Sequence, residues 1–177
     1  MLPLSFQTAR LTARLPVPSD GEHIFAAYAS RPEVSRYMMW RPHADLATTV
    51  AFIADCMAAA LAGTRLPYVL ARSEASQLPI GMLEARPLGH KVDLGYVLAP
   101  DHWGHGYMPE ALSVLAAHAL NEAGFFRVQA FCDVENLPSR RALEKAGFVC
   151  EGRHERFVVH PNLDPEPRPC FMYAKCR

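Results

Sequence analysis

A chain of 177 residues with 18 basic and 18 acidic side chains has no net field to gather nucleic acid or an anionic membrane surface. Half of its residues are hydrophobic and a fifth are charged, the balance of one globular domain over residues 1–177, and no stretch approaches a membrane span. Five cysteines, an odd number without a C-x-x-C pair, fit reduced thiols in a cytoplasmic protein better than a disulfide framework.

The N-terminus carries no charged region ahead of its apolar residues, so no signal peptide is expected. Alternation predicts a first strand over residues 8–15, stopped by Pro16 and Pro18. Ser19 or Asp20 then caps a helix running to about Ala29. Residues 32–40 read as a short helical turn with an aromatic exit. Asp45 caps an alanine-rich helix over 46–61 that closes at Gly63. Strands are predicted at 66–71, 80–85 and 92–98, and again at 127–132. A helix after the glycine loop, with apolar periodicity from Ala111, runs through Glu122 and ends at Gly124, and another over 136–146 ends at Gly147. Residues 148–159 and 170–175 form a closing hairpin, joined by a connection over 160–169 that holds four prolines. The pattern is a mixed α+β sheet with helices and not a regular doubly wound one.

The densest chemical signal is Leu94-Gly-Tyr-Val-Leu-Ala-Pro100 followed by Asp101-His-Trp-Gly-His-Gly-Tyr-Met-Pro-Glu110. Strand, glycine loop and helix N-terminus follow one another. Free N–H groups and the positive end of the helix dipole therefore converge at Gly104, His105 and Gly106. The expected ligand is a phosphate-bearing cofactor held mainly by main chain. No lysine followed by serine or threonine comes after Gly106, which disfavours a nucleotide-triphosphate P-loop. His102 and His105 lack a nearby third ligand, so no metal is expected.

The run from Leu94 to Leu112 resembles the central motif of GNAT acetyltransferases, specifically the ribosomal-protein alanine N-acetyltransferase (RimJ/RimL) type. Asn136-Leu-Pro-Ser-Arg-Arg-Ala-Leu-Glu-Lys-Ala-Gly-Phe148 is similar to that family's second signature, with Glu151-Gly152 as its continuation. Arg10-Leu-Thr-Ala-Arg14 and Arg36-Tyr-Met-Met-Trp40 match its N-terminal pieces. Two departures stand out. Trp103 holds a position where the wider superfamily has glutamine or arginine, and Met108 replaces a glycine or alanine. Pro109 removes one donor, so pyrophosphate contacts are expected from Gly104, His105, Gly106, Tyr107 and Met108.

The resemblance implies a GNAT fold, a mixed and mostly antiparallel central sheet flanked by helices, with acetyl-CoA as co-substrate and an amine as acceptor. It implies that the strand before the glycine loop splays from its neighbour at Val97 and Leu98. Free main chain there holds the pantetheine arm, and an N–H stabilises the oxyanion. It places Asn136 towards the cofactor and Ser139 near its sulfur, although the same spacing equally describes a helix cap and a solvated first-turn serine. For the general base, Asp93 and Glu84 are the leading candidates, with His154 and Glu155 behind them. Val158 stands where some relatives carry a glutamate. In this fold the N-terminal helical pair and the last hairpin border the acceptor site, which brings Tyr37, Met38, Trp40, Phe52 and the 160–169 connection into consideration. Three functions compete: an N-acetyltransferase acting on a protein N-terminal α-amine, a small-molecule (polyamine, amino-acid or antibiotic) acetyltransferase, and a non-catalytic acyl-CoA-binding module. Monomer and homodimer both fit. No nucleic-acid or membrane partner is expected.

Overall fold

The computed structural model describes residues 1–177. Its strands are β1 (Ser5–Gln7), β2 (Leu11–Arg14), β3 (Leu66–Arg72), β4 (Pro79–Leu88), β5 (Lys91–Leu98), β6 (Arg127–Asp133), β7 (Val149–Val159) and β8 (Pro167–Cys176). They form one sheet of 8 strands in the order β1-β2-β3-β4-β5-β6-β8-β7. Every neighbouring pair is antiparallel except β5 and β6. The helices are α1 (Gly21–Ile24), α2 (Pro32–Ser35), α3 (Leu46–Leu61), α4 (Tyr107–Asn121) and α5 (Leu137–Lys145).

Two cores lie on opposite faces of this sheet. On one face Met108, Leu112 and Leu115 of α4 and Leu143 of α5 pack on Val92, Leu94 and Tyr68. On the other, Ile24, Tyr28, Ile53 and Cys56 pack on Val69, Met82 and Val97. Strand β3 is covered on both faces, which is why it reads as an unbroken apolar run, buried from Leu66 to Ala71. Each large side chain so enclosed contributes about 1.5–3 kcal/mol by leaving water. No helix is long and apolar enough to cross a membrane.

Five expectations are revised. The single strand over 8–15 is instead the hairpin β1–β2, with residues 8–10 as its turn. The Thr8 hydroxyl accepts from the N–H of Leu11 at 2.9 Å, and this local bond competes with the ladder that alternation suggested. Asp20 does not cap through its side chain. Its buried carboxylate instead takes both Nη atoms of Arg14, at 2.8 and 2.7 Å, and the N–H of Val17. The helix to Ala29 tightens at its start and widens into a π turn over Phe25–Ala29. The turn expected over 32–40 is helical only for Pro32–Ser35.

The fifth revision concerns β8, which starts at Pro167 despite its prolines. Its ladder with β6 begins only at Cys170; residues 167 and 168 pair with β7 alone, and the Pro169 C=O accepts from Val134 N–H at 3.3 Å. Pro169 also falls in a register irregularity opposite residues 155–157, where Arg156 takes a φ of 46°. A missing N–H costs nothing at such a place.

Candidate active site

Strands β5 and β6 pair over only three positions, Lys91–Asp93 against Arg127–Gln129. Beyond them the strands diverge. Ala99 N–H donates to Ile80 C=O at 2.8 Å, and Val97 lies opposite Met82. The alternation of an antiparallel ladder therefore turns the main chain of Val97 towards β4 and that of Tyr96 and Leu98 into the gap. The expectation for this strand is thereby sharpened: Leu98 presents main chain to the gap, Val97 does not, and Tyr96 takes its place. The Leu98 C=O already accepts from Trp103 Nε1 at 2.7 Å, which leaves its N–H free. That bond gives Trp103 a use which its motif position alone did not indicate.

The glycine loop follows. Gly106 is the N-cap of α4 with φ 78°, in the left-handed region that favours glycine. The first bond of the helix is Glu110 N–H to Gly106 C=O at 3.3 Å. The N–H groups of Gly104, His105, Gly106, Tyr107 and Met108 have no acceptor in the chain. Pro109 sits at a helical position whose N–H would be unused in any case. Arg10 braces the loop from the β1–β2 turn. Its Nη1 donates to His105 C=O at 3.0 Å, its Nε donates to Glu110 at 2.7 Å, and its guanidinium lies 4.7 Å from the Tyr107 ring centre. Burial pushes the Glu110 carboxyl up, but bonds from Thr8 and Arg10 outweigh it and the net displacement is downward. His105 stacks on Tyr107 and bonds Trp103 C=O at 2.8 Å.

Asn136 performs the capping role directly, its Oδ1 accepting from Ser139 N–H at 3.2 Å. It also lines the cleft, so cap and cleft wall are one residue. Ser139 Oγ lies 2.7 Å from the Tyr96 hydroxyl, across the gap. Burial pushes the Tyr96 phenol well up, so the hydroxyl stays protonated at neutral pH. Cys132 lines the cleft beside them with a thiol pushed up to about 11, chiefly by burial, and it is not a thiolate at neutral pH.

The gap opens into a cleft of about 1540 Å³ that reaches both faces of the sheet. One end holds the glycine loop, Asn136 and Ser139. The other is walled by Tyr37, Met38, Trp40 and Phe52 and by residues 160–163. The aromatic exit after α2 and the start of the proline-rich connection thus meet. Asn162 Nδ2 fixes the junction by donating to Ser35 C=O at 2.6 Å and Trp40 C=O at 2.7 Å.

Of the carboxylates, Glu84 lines this cleft and Asp93 does not. Glu84 gives one oxygen to Arg65 Nη1 at 2.8 Å and the other to Arg86 Nη1 at 3.0 Å. Asp93 keeps a buried Oδ1 without a partner. The structure brings neither to Ser139 as a free base. His154 and Glu155 lie on the exposed edge strand β7, away from the cleft lining.

A buried cluster that the sequence reading missed supports the far wall. Asp133, fully buried, accepts from Arg168 Nε at 2.7 Å and from Glu135 N–H at 2.9 Å. His160 Nε2 lies 3.7 Å from it. Burial opposes ionisation of Asp133, but these partners outweigh it and lower its carboxyl below the usual range. His160 is pulled down by burial, with Asp133 only partly opposing. The pairing joins residues 35 positions apart, and no motif marks it.

Comparison with known proteins agrees with this geometry. Residues 10–149 match the acetyltransferase (GNAT) domain family. The uncharacterized N-acetyltransferase YoaA of Bacillus subtilis is 28% identical over 180 residues, covering 100% of this chain and 99% of its own. A GNAT-family acetyltransferase from Bacillus anthracis superposes with a TM-score of 0.82 at 25% identity, over 97% of this chain and 98% of that one. RimL, the ribosomal L7/L12 α-N-protein acetyltransferase solved with coenzyme A, gives 0.83 at 18% identity, over 99% and 97%. That last likeness is one of fold. The eight-stranded mixed sheet, the splayed β5–β6 pair and the family match together place this chain among the GNAT acetyltransferases.

Proposed function

We propose that the protein transfers an acetyl group from acetyl-CoA to a primary amine, in the manner of the RimJ/RimL N-acetyltransferases. The observation that carries this reading is the run of five unpartnered N–H groups, Gly104 to Met108, beside a sheet gap crossed by the Tyr96–Ser139 bond. A neutral loop with free amides at a helix N-terminus suits a pyrophosphate. Free main chain at Tyr96 and Leu98 suits an amide-containing arm, and Asn136 flanks it. Acetyl-CoA supplies the activated acyl group as a thioester.

The chain's own residues do the rest. Leu98 N–H is a donor preset towards charge developing in the gap. The Ser139 hydroxyl, held by Tyr96, is placed to hydrogen-bond a departing thiolate, whose thiol has an ordinary pKa of about 8.5. Neither Glu84 nor Asp93 offers a free carboxylate there. This supports an acceptor that needs little base assistance, such as an α-amine with a pKa of about 7.7–8.0 in preference to a lysine near 10.4.

The test is thiol release from acetyl-CoA with the pure protein and a panel of peptides and amines. Release with an acceptor supports the reading. Tight CoA binding without release from any acceptor supports an acyl-CoA-binding module instead.

A further inference from the structure

The acceptor half of the cleft is built for a negative charge. Its charged lining consists of Arg36, Arg41, Arg65 and Arg86 against Glu33 and Glu84, and Asp55 pairs with Arg65 from outside the lining, which leaves an excess of one positive charge. These groups sit apart from the glycine loop. Arg65 and Arg86 flank Glu84 on β4, next to Met82, which packs with α1 and α3 on the sheet face opposite α4.

Much of this cationic capacity is unused. Arg86 commits Nη1 to Glu84, while its Nε and Nη2 have no partner in the chain. Arg41 has neither a hydrogen bond nor an ion pair, and Arg36 meets only the face of Tyr37, 5.5 Å from its guanidinium. The Arg86 guanidinium also lies close against β5 at Gly95. A Cβ added at Gly95 would meet its Nη1 at 3.2 Å and its Nη2 at 3.3 Å. That close approach needs glycine, and it brings the cation beside Tyr96, whose main chain opens to the gap. Apolar walls at Tyr37, Trp40 and Phe52 keep the dielectric low and strengthen any charge pairing there.

We propose that the acceptor is an amine bearing a carboxylate or phosphate near the reacting nitrogen, with Arg86 as its principal anion-binding residue and Arg41 as a rim contact. The inference rests on the acetyltransferase reading above and names its substrate class. Arg86 presents two free donors to the anion, and a planar guanidinium suits both carboxylate and phosphate. A polyamine, carrying a second ammonium, meets repulsion at the same place.

The experiment compares kcat/KM by thiol release for matched acceptors: Ala-Asp-Phe-amide against Ala-Asn-Phe-amide, and O-phosphoethanolamine against ethanolamine, with spermidine alongside. The first pair reports on a carboxylate presented by a peptide, the second on a small-molecule phosphate. Expected is a preference of about tenfold or more for the anionic member of at least one pair, expressed in KM. Arg86→Gln and the exposed-rim Arg41→Gln are each expected to shrink that preference while leaving the acetyl-CoA KM in place. Equal rates within both pairs, a preference for spermidine, or an unchanged preference in both variants overturns the inference while leaving the acetyltransferase reading intact. Absence of release from every acceptor overturns both.

Discussion

The hydroxyls of Tyr96 and Ser139 lie 2.7 Å apart and join β5 to the first turn of α5 across the gap where the sheet stops pairing. Replacing Ser139 by Ala removes the hydroxyl facing the gap and leaves the buried Tyr96 phenol without that partner. We expect kcat to fall by about 10²-fold with the acetyl-CoA KM little changed. Tyr96→Phe is expected to cost about 1 kcal/mol in stability and to lower kcat less. The double variant should resemble Ser139→Ala alone, because the two groups act as a pair. Steady-state kinetics and urea unfolding check all three.

The glycine loop gives a different signature. At Gly106, with φ 78°, an alanine meets no obstacle nearer than Arg10 Nη2 at 3.6 Å, so strain and not a clash decides the outcome. Its cost is about 1–2 kcal/mol. Gly106→Ala is expected to raise the Kd for CoA, measured calorimetrically, with kcat at saturating acetyl-CoA retained. A fall in kcat at unchanged Kd argues against the loop as the phosphate cradle.

Asn162 ties the proline-rich connection to the aromatic segment after α2 through two bonds of 2.6 and 2.7 Å. Asn162→Ala is expected to cost about 1–2 kcal/mol by denaturant unfolding. It should also raise the acceptor KM while the acetyl-CoA KM holds, since it touches only the far half of the cleft.

The buried Asp133 cluster makes stability depend on pH in two windows. His160 has a lowered pKa, so the unfolded chain binds more protons as pH falls through about 6.5. Stability is therefore full above that value and declines below it, by at most about 1.4 kcal/mol per pH unit. Asp133 also has a lowered pKa, and its contribution is present above about 3.9 and lost as pH falls through the folded value. Unfolding free energies between pH 8 and 5 should flatten in His160→Gln. Arg168→Met is expected to cost about 3 kcal/mol at pH 7, because it strands a buried carboxylate.

The glycine loop, the helix caps at Asp45 and Asn136 and the apolar run of β3 were legible because each depends on residues close in sequence. The Asp45 carboxylate accepts from Thr48 N–H at 2.8 Å, as the local pattern requires. The β1–β2 turn was not legible, because the alternation at residues 8–15 is what a strand shows, while Thr8 answers to Leu11 and to Glu110, which lies 102 positions away.

The chain's order of elements and its two motifs determined the GNAT fold and the place of the loop. Pairing between distant residues decided which groups face the gap between β5 and β6. Ladder parity along β5 turned Tyr96 and Leu98 into the gap and Val97 away from it. Arg65 and Arg86 occupied Glu84, and Asp133 gathered Arg168 and His160. Backbone conformation follows from neighbours in sequence, whereas the charge and freedom of a side chain follow from what the fold sets against it.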